Sequence, residues 1–290
     1  MVIQKKIIYY IVLIFTVLSC RKEVKPEDDI IPKPSGQYLS EISTNIYPFT
    51  SDDSLKLASF EYDNYRYLKK IKFYIPENQQ YKGYIEFFYD SIGRVDYIHT
   101  HYGGSYIYIR EKFIYENNEL AFINEFTIDA GPAIKTLVKK TAFTANPESN
   151  VVEVRTFELK EDTLVERPDY EKNHYDSNGN LYKVHYNSGT GNFNEKIDEY
   201  AFDNMKSPFT NLRNANFSIV FPHMYSAQWL SMNNVVKHKD YVLGKQTTSY
   251  DTIVYKYKDN YPIELANYTG ANNSPLKLKS RYFFKYIVLK

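Results

Sequence analysis

The chain has 290 residues, with 36 basic side chains against 35 acidic ones, so it is close to neutral and carries no basic excess or basic run of the kind nucleic-acid binding draws on. Its single cysteine excludes an intrachain disulfide framework. The 30 Tyr and 18 Phe against one Trp form an aromatic load suited to strands.

The first element is Met1 to Ser19, with the three-part layout of a secretory signal. Lys5 and Lys6 give a positive start, and Ile7 to Leu18 is an uncharged apolar run. A spanning helix needs about 20 apolar residues, so this run is too short to cross a bilayer, and Arg21 and Lys22 follow it directly. Residues 1–19 are therefore read as a signal peptide outside the fold.

Val17-Leu18-Ser19-Cys20 resembles the bacterial lipobox, with an aliphatic residue at −3, a small residue at −1 and the obligatory cysteine. The resemblance implies that Cys20 becomes lipidated and that several acyl chains hold the protein to a membrane. An ordinary signal peptide with a chance cysteine would leave a lone reactive thiol in an exported chain; lipidation removes that liability. Residues 20–37 follow as a tether, extended by Pro26, Pro32 and Pro34 and carrying Glu27, Asp28 and Asp29. Acidic residues soon after the cysteine resemble the surface-export signal of Bacteroidetes lipoproteins, although Arg21, Lys22 and Lys25 interrupt them. The resemblance implies an outer-membrane, lipid-anchored location, with the cell surface favoured over the periplasmic face.

Residues 38–290 read as a single β domain, since no second linker appears. Alternation dominates. In the stretch from Tyr106 to Tyr115, Ile107, Ile109, Phe113 and Tyr115 share one face while Arg110 and Lys112 lie on the other, the pattern of a half-buried strand.

A degenerate repeat runs through this domain. An aromatic residue is followed by a polar turn, then by aliphatic residues six and nine positions after the aromatic. It occurs at Tyr62-Asp63 with Leu68 and Ile71, at Tyr89-Asp90 with Val95 and Ile98, and at Tyr175-Asp176 with Leu181 and Val184. A looser copy begins at Tyr257, and one a residue shorter begins at Tyr115. Asp starts a type I turn through its side chain, and Gly93 and Gly179 supply the φ > 0 position that closes a bulged hairpin. Arg66 stands where the others have glycine, which predicts a different or strained turn.

Consecutive hairpins predict a meander of roughly 13 to 16 strands, more than an open twisted sheet usually holds without curling or closing. The expected fold is all-β: a large curved antiparallel meander of hairpins, open or closed into a barrel-like sheet, with short helical turns near 207–230 where alternation stops.

These Tyr-Asp hairpins resemble the YD repeats of Rhs-type shells, and more closely a Bacteroidetes lipoprotein family, the uncharacterised DUF4595-like family with a porin-like sheet. The matching residues are Tyr200-Ala201-Phe202-Asp203, Ser207-Pro208-Phe209, Ser231-Met232-Asn233-Asn234-Val235 and the run from Tyr255 to Pro262. The resemblance implies a fold and no known activity.

Chemistry is sparse. The zinc-protease, serine-hydrolase, phosphate-loop and Ca²⁺-loop motifs are absent, so the sequence assigns no catalytic residue, no cofactor and no metal set. His99 and His101 share a strand face at a spacing that suits a transition metal, but no third ligand is identifiable, and two ordinary strand histidines are the plainer reading. His174 and His185 flank one hairpin. Glu86, Asp96, Glu111 and Glu125 lie in strands and would form an acid/base pair only if two met inside a barrel; otherwise they belong to a wetted sheet face. Gly189-Thr190-Gly191 reads as a turn.

Ser54, Ser91, Thr163 and Thr252 sit in Asp-Ser/Thr-aliphatic triplets resembling the O-glycosylation pattern of Bacteroidetes exported proteins, although Asp-Ser and Asp-Thr also simply begin turns.

The expectation is a non-catalytic binding or structural module of the cell envelope. Its partners would be the membrane, through the lipid, and a glycan or another envelope protein. A glycan-active envelope enzyme is the competing class, and a membrane-embedded β-barrel is the second alternative. Against the latter, neither face of the strands from Ser59 to Asp63 or from Gly83 to Asp90 forms a charge-free band.

Overall fold

The computed structural model describes residues 37–46, 54–75, 80–105, 107–129, 135–146, 148–187, 195–209, 226–243, 248–271 and 274–289. The signal sequence, Cys20, nearly all of the tether and Gly189-Thr190-Gly191 lie outside them.

Sixteen strands follow one another: β1 (Gln37–Ile46), β2 (Leu55–Tyr62), β3 (Leu68–Ile75), β4 (Gln80–Tyr89), β5 (Val95–Tyr102) and β6 (Ile107–Glu116). Then come β7 (Glu119–Asp129), β8 (Lys135–Asn146), β9 (Val151–Lys160), β10 (Thr163–Tyr175), β11 (Leu181–Asn187) and β12 (Lys196–Lys206). A one-turn helix, α1 (Ser226–Leu230), precedes β13 (Asn233–Val242), β14 (Thr248–Lys258), β15 (Tyr261–Ala271) and β16 (Lys277–Val288). Each strand pairs antiparallel with its sequence neighbours, and β1 pairs with β16, so the meander closes into a barrel. Closure removes both sheet edges, which an open sheet of this size would leave to pair with other chains.

The repeat explains the hairpins. Asp63, Asp90 and Asp176 each accept two backbone N–H bonds through Oδ1, from the residues two and four positions on, at 2.8–3.0 Å. In each turn the fourth residue donates back to the aspartate carbonyl. Arg66, at φ +70°, takes the same left-handed conformation as Gly93 at +82° and Gly179 at +76°. The first turn is thus the same turn, held with a non-glycine residue in a costly conformation, because the aspartate bonds fix it. The short and loose copies differ for another reason. Asn117-Asn118 and Asp259-Asn260 are two-residue turns with φ > 0 at both positions, the backbone that matches strand twist without a glycine.

The repeat tyrosine has a role that local pattern reading missed. In all five copies the register slips next to it, between Glu61 and Tyr62, Phe88 and Tyr89, Ile114 and Tyr115, His174 and Tyr175, and Lys256 and Tyr257. The extra residue of the bulge lies on the following strand, opposite the tyrosine. Tyr89 Oη donates to the Leu68 carbonyl at 2.7 Å and Tyr115 Oη to the Val95 carbonyl at 2.9 Å. Leu68 and Val95 are the first aliphatic positions of the preceding copies, so the Tyr89 and Tyr115 copies each latch onto the one before.

A round sixteen-strand barrel encloses an aqueous channel. Here much of the inward face is apolar and shielded. One row runs Phe284, Ile42, Ala58, Phe73 across register partners on β16, β1, β2 and β3; the next runs Phe60, Ile71, Ile85, Thr100 on β2 to β5. All are buried. Gly83 lies opposite Phe73, and a Cβ there would come within 2.1 Å of the His101 carbonyl oxygen. Along β7 to β9 nearly every side chain is half-exposed, so shielding of the inward face weakens on that side.

Of the predicted helical region, the described residues 207–209 and 226–230 pack on one end of the barrel. Phe209 is 1% exposed and meets the Phe284 ring edge-on, at 6.3 Å and 81°. Ser207 Oγ donates to the Gln228 carbonyl, and Leu181 N donates to Ser231 Oγ. Asn234 Nδ2 lies within hydrogen-bonding distance of Asp203, of the Met205 and Lys206 carbonyls and of Tyr257 Oη. Thus the residues that carried the family resemblance are those that clamp this segment to the wall.

The outward face is charged. Cross-strand pairs on it include Lys56–Glu41 at 3.0 Å, Lys70–Glu86 at 2.8 Å, Lys239–Glu199 at 3.7 Å and Lys256–Glu264 at 2.6 Å.

Candidate functional site

Three groupings of chemistry-bearing side chains stand out. The first lies on the outer wall across β3 to β6, where register sets up parallel rows. Glu86 is opposite His99, and His99 is opposite Arg110; Tyr84 is opposite His101, and His101 is opposite Tyr108. The rings of the second row stack. Tyr84 and His101 are 4.4 Å apart at 17°, and His101 and Tyr108 are 4.7 Å apart at 19°.

This packing turns ring faces toward one another, so these tyrosines serve as cross-strand pairs rather than as free platforms for a sugar. Glu86, His99 and His101 bring one ligand atom each to within 4.8 Å of one another. Glu86 is the third residue that the sequence could not identify, since only strand pairing places it beside the histidines. Burial, then the Arg110 guanidinium, pushes the His99 imidazole down to about 4. Burial also lowers His101, against the pull of Glu86. Both rings are therefore neutral at pH 7.

The second grouping is inside the barrel. Glu111, Glu125, Lys139 and Glu158 are successive register partners across β6 to β9, on the face shared with Phe113. Lys139 Nζ is 3.1 Å from Glu125 Oε2. Burial, reinforced by Glu125, pushes the Glu111 carboxyl up to about 7. Two of the four carboxylates singled out in the sequence thus meet inside the barrel. The other two do not: Glu86 pairs with Lys70 and Asp96 with Lys112 on the outer wall.

The third grouping has no signal in the sequence, because its members come from three strands with no local spacing. His238 Nδ1 is 3.0 Å from Asp251 Oδ2, and Nε2 is 3.1 Å from Asp198 Oδ1. Asp198, Asp251 and His238 are 4, 5 and 6% exposed. Burial disfavours the imidazolium, but the bonds to Asp198 and Asp251 outweigh it and raise His238 above the ordinary imidazole value. Asp198 shifts down, because the bond to His238 and the charge of Lys196 outweigh burial. The Tyr200 ring stacks on the imidazole at 5.0 Å. The cluster is a polar tie across three neighbouring strands, β12, β13 and β14.

The remaining candidates stay apart. His185 bonds Glu195 at 2.8 Å, while His174 meets Tyr182 edge-on. Ser54, Ser91 and Thr163 are exposed, Ser91 and Thr163 at or beside turns, whereas Thr252 is half-buried within β14. Cys20, the lipidation candidate, lies outside the described residues.

No family model matches the chain, and no curated protein matches it. Among solved structures it is similar to a porin-like protein from Bacteroides uniformis ATCC 8492, at 8% identity and a TM-score of 0.51, over 88% of this chain and 99% of that one. It is also similar to a porin-like protein from Bacteroides vulgatus ATCC 8482, at 12% identity and a TM-score of 0.49, over 87% of this chain and 99% of that one. At such identities the likeness to the Bacteroides uniformis protein shows a shared barrel fold.

Proposed function

We propose that this chain is a lipid-anchored protein of the bacterial outer membrane, whose barrel stands in water as a non-catalytic binding or structural module. The observation that carries the water-facing reading is the polarity of the wall. A membrane-spanning barrel presents an apolar band outward and a polar interior. Here the outward face carries cross-strand ion pairs, and the inward face of β16 and β1 to β5 is packed with large buried apolar side chains. Lys or Arg facing lipid near the bilayer midplane costs about 2–4 kcal/mol each, so burying this wall in hydrocarbon is heavily disfavoured.

Anchoring then falls to Cys20, and the acidic, proline-bearing tether carries the body away from the lipid. The DUF4595-like resemblance belongs with this reading, as does the cell surface as the favoured face. The test has two parts. Residues 21–290 exported behind a cleavable leader should be recovered in detergent-free buffer as folded, monodisperse protein; recovery only from membranes with detergent refutes the water-facing reading. Palmitate labelling of the native chain should disappear in Cys20→Ala; an unlabelled native chain refutes the anchor.

One observation favours the competing class, an envelope enzyme acting on glycans. Glu111, raised to about 7, sits opposite Glu125, which Lys139 pairs, and two carboxyl groups set close together are the arrangement that glycoside hydrolysis uses. A screen of soluble glycans and peptidoglycan for turnover abolished by Glu111→Gln decides it; no turnover with any substrate sets it aside.

A further inference from the structure

We propose that Glu86, His99 and His101 form a binding site for one divalent transition metal of the zinc and copper class on the outer wall of the barrel. Their ligand atoms lie within 4.8 Å of one another. Zinc bonds of about 2.0–2.1 Å to nitrogen and oxygen place tetrahedral ligands roughly 3.3 Å apart, so side-chain adjustments of about 1 Å close the site.

His101 supplies a second, independent sign. Its Nε2 is shielded from solvent and has no hydrogen-bond partner, and it lies 4.0 Å from Glu86 Oε2. A shielded nitrogen left unbonded is costly, and the fold keeps it so: the stacked rings of Tyr84 and Tyr108 hold the imidazole between them. A metal ion gives that lone pair a partner. Two imidazoles and one carboxylate select zinc, copper or nickel over magnesium or calcium, which prefer all-oxygen shells. The fourth position would be left to water.

Two cations adjoin the site and set its strength. Lys70 holds Glu86 through Oε1 at 2.8 Å, which leaves Oε2 facing His101. Arg110 Nε donates to His99 Nε2 at 2.7 Å, so its guanidinium takes the place that a metal would take. It also lies over the Tyr97 ring, 5.0 Å from the centroid, which offers it a resting place when displaced. Arg110 is therefore a competitor of the metal, a role that neither a purely structural arginine nor a stacked-ring packing motif would have.

The test is calorimetric titration of the full chain, without an affinity tag, with Zn²⁺ and Ni²⁺ at pH 7.5, and with Mg²⁺ as control. One Zn²⁺ should bind per chain. Glu86→Gln and His101→Gln should each weaken binding about tenfold or more, and Arg110→Gln should tighten it. Thermal melts establish that each variant is folded; should His101→Gln fail to fold, Glu86→Gln on the half-exposed wall decides. No saturable Zn²⁺ binding by the native chain overturns the proposal. So does binding unchanged in Glu86→Gln, which would place the ion elsewhere, for instance at His185 and Glu195. Weaker binding in Arg110→Gln overturns the competitor role.

Discussion

Replacing His238 by Gln removes the positive charge between two buried carboxylates while keeping a polar side chain in the gap. Each contact, at 3.0 and 3.1 Å, is worth roughly 5 kcal/mol of attraction at an effective dielectric constant of about 20, set against several kcal/mol of desolvation per ion. The balance left when one partner of a buried pair is removed is a loss of about 3–5 kcal/mol. The loss should depend on pH, and its sign follows from the directions of the shifts.

His238 is raised when folded, so its contribution is fully present below the ordinary imidazole value and is lost as pH rises through the raised value. Asp198 is lowered, so its contribution is present above the ordinary carboxylate value and is lost as pH falls through the lowered value. Lys196, 3.1 Å from Asp198, and the nearby carboxyl of Glu171, raised by burial and then by Asp169 and Asp198, belong to the same field. Urea unfolding of the native chain and of His238→Gln at pH 5.5 and pH 9 measures the effect. The difference between them should be largest at pH 5.5 and shrink as pH rises through the raised value of His238. A difference that is the same at both values, or one below about 1 kcal/mol at pH 5.5, refutes the charged tie.

Three further substitutions test the architecture. Arg66→Gly should stabilise the barrel by about 1 kcal/mol, read from the urea midpoint, because it relieves a left-handed arginine in a turn that Asp63 already fixes. Tyr89→Phe should cost about 1 kcal/mol through the lost bond to the Leu68 carbonyl; an unchanged urea midpoint would mean that the hydroxyl does not tie the two hairpins. Phe209→Ala should cost about 3–5 kcal/mol and lower the thermal midpoint, since its buried ring packs against Phe284; a change under 1 kcal/mol would mean that the 207–209 segment does not close that end.

What could be read locally was read. Asp-Ser-x-Gly announced its turn because the aspartate acts on amides two and four residues away, and the alternation around Ile109 and Phe113 announced which face is buried. Arg66 misled only in part: the residue breaks the rule, but the bonds from Asp63 outweigh it. The third member of the His99 and His101 group stayed hidden because Glu86 reaches them by register across β4 and β5, a pairing between strands that no local spacing declares. Closure was equally hidden. The sequence implied too many strands for an open sheet, but the pairing of β1 with β16 is a contact between the two ends of the fold. The Tyr89 and Tyr115 latches have a trace in the spacing of Tyr62, Tyr89 and Tyr115, 27 and 26 residues apart, which is the distance from one hairpin to the next.

The seam between β1 and β16 also governs how the barrel is made. Ser40 bonds the backbone of Lys285, 245 positions later, so a chain emerging from the N-terminus leaves its first strand with one side unpaired until the last strand has been delivered. Throughout that interval the growing sheet has two open borders, each capable of recruiting a strand from another molecule. The latches of the early repeats give the nascent sheet something to hold while it waits. The hairpins that begin at Tyr89 and Tyr115 are tied to their predecessors before the circle exists, so early assembly can advance one hairpin at a time, with the final strand as the step that ends exposure.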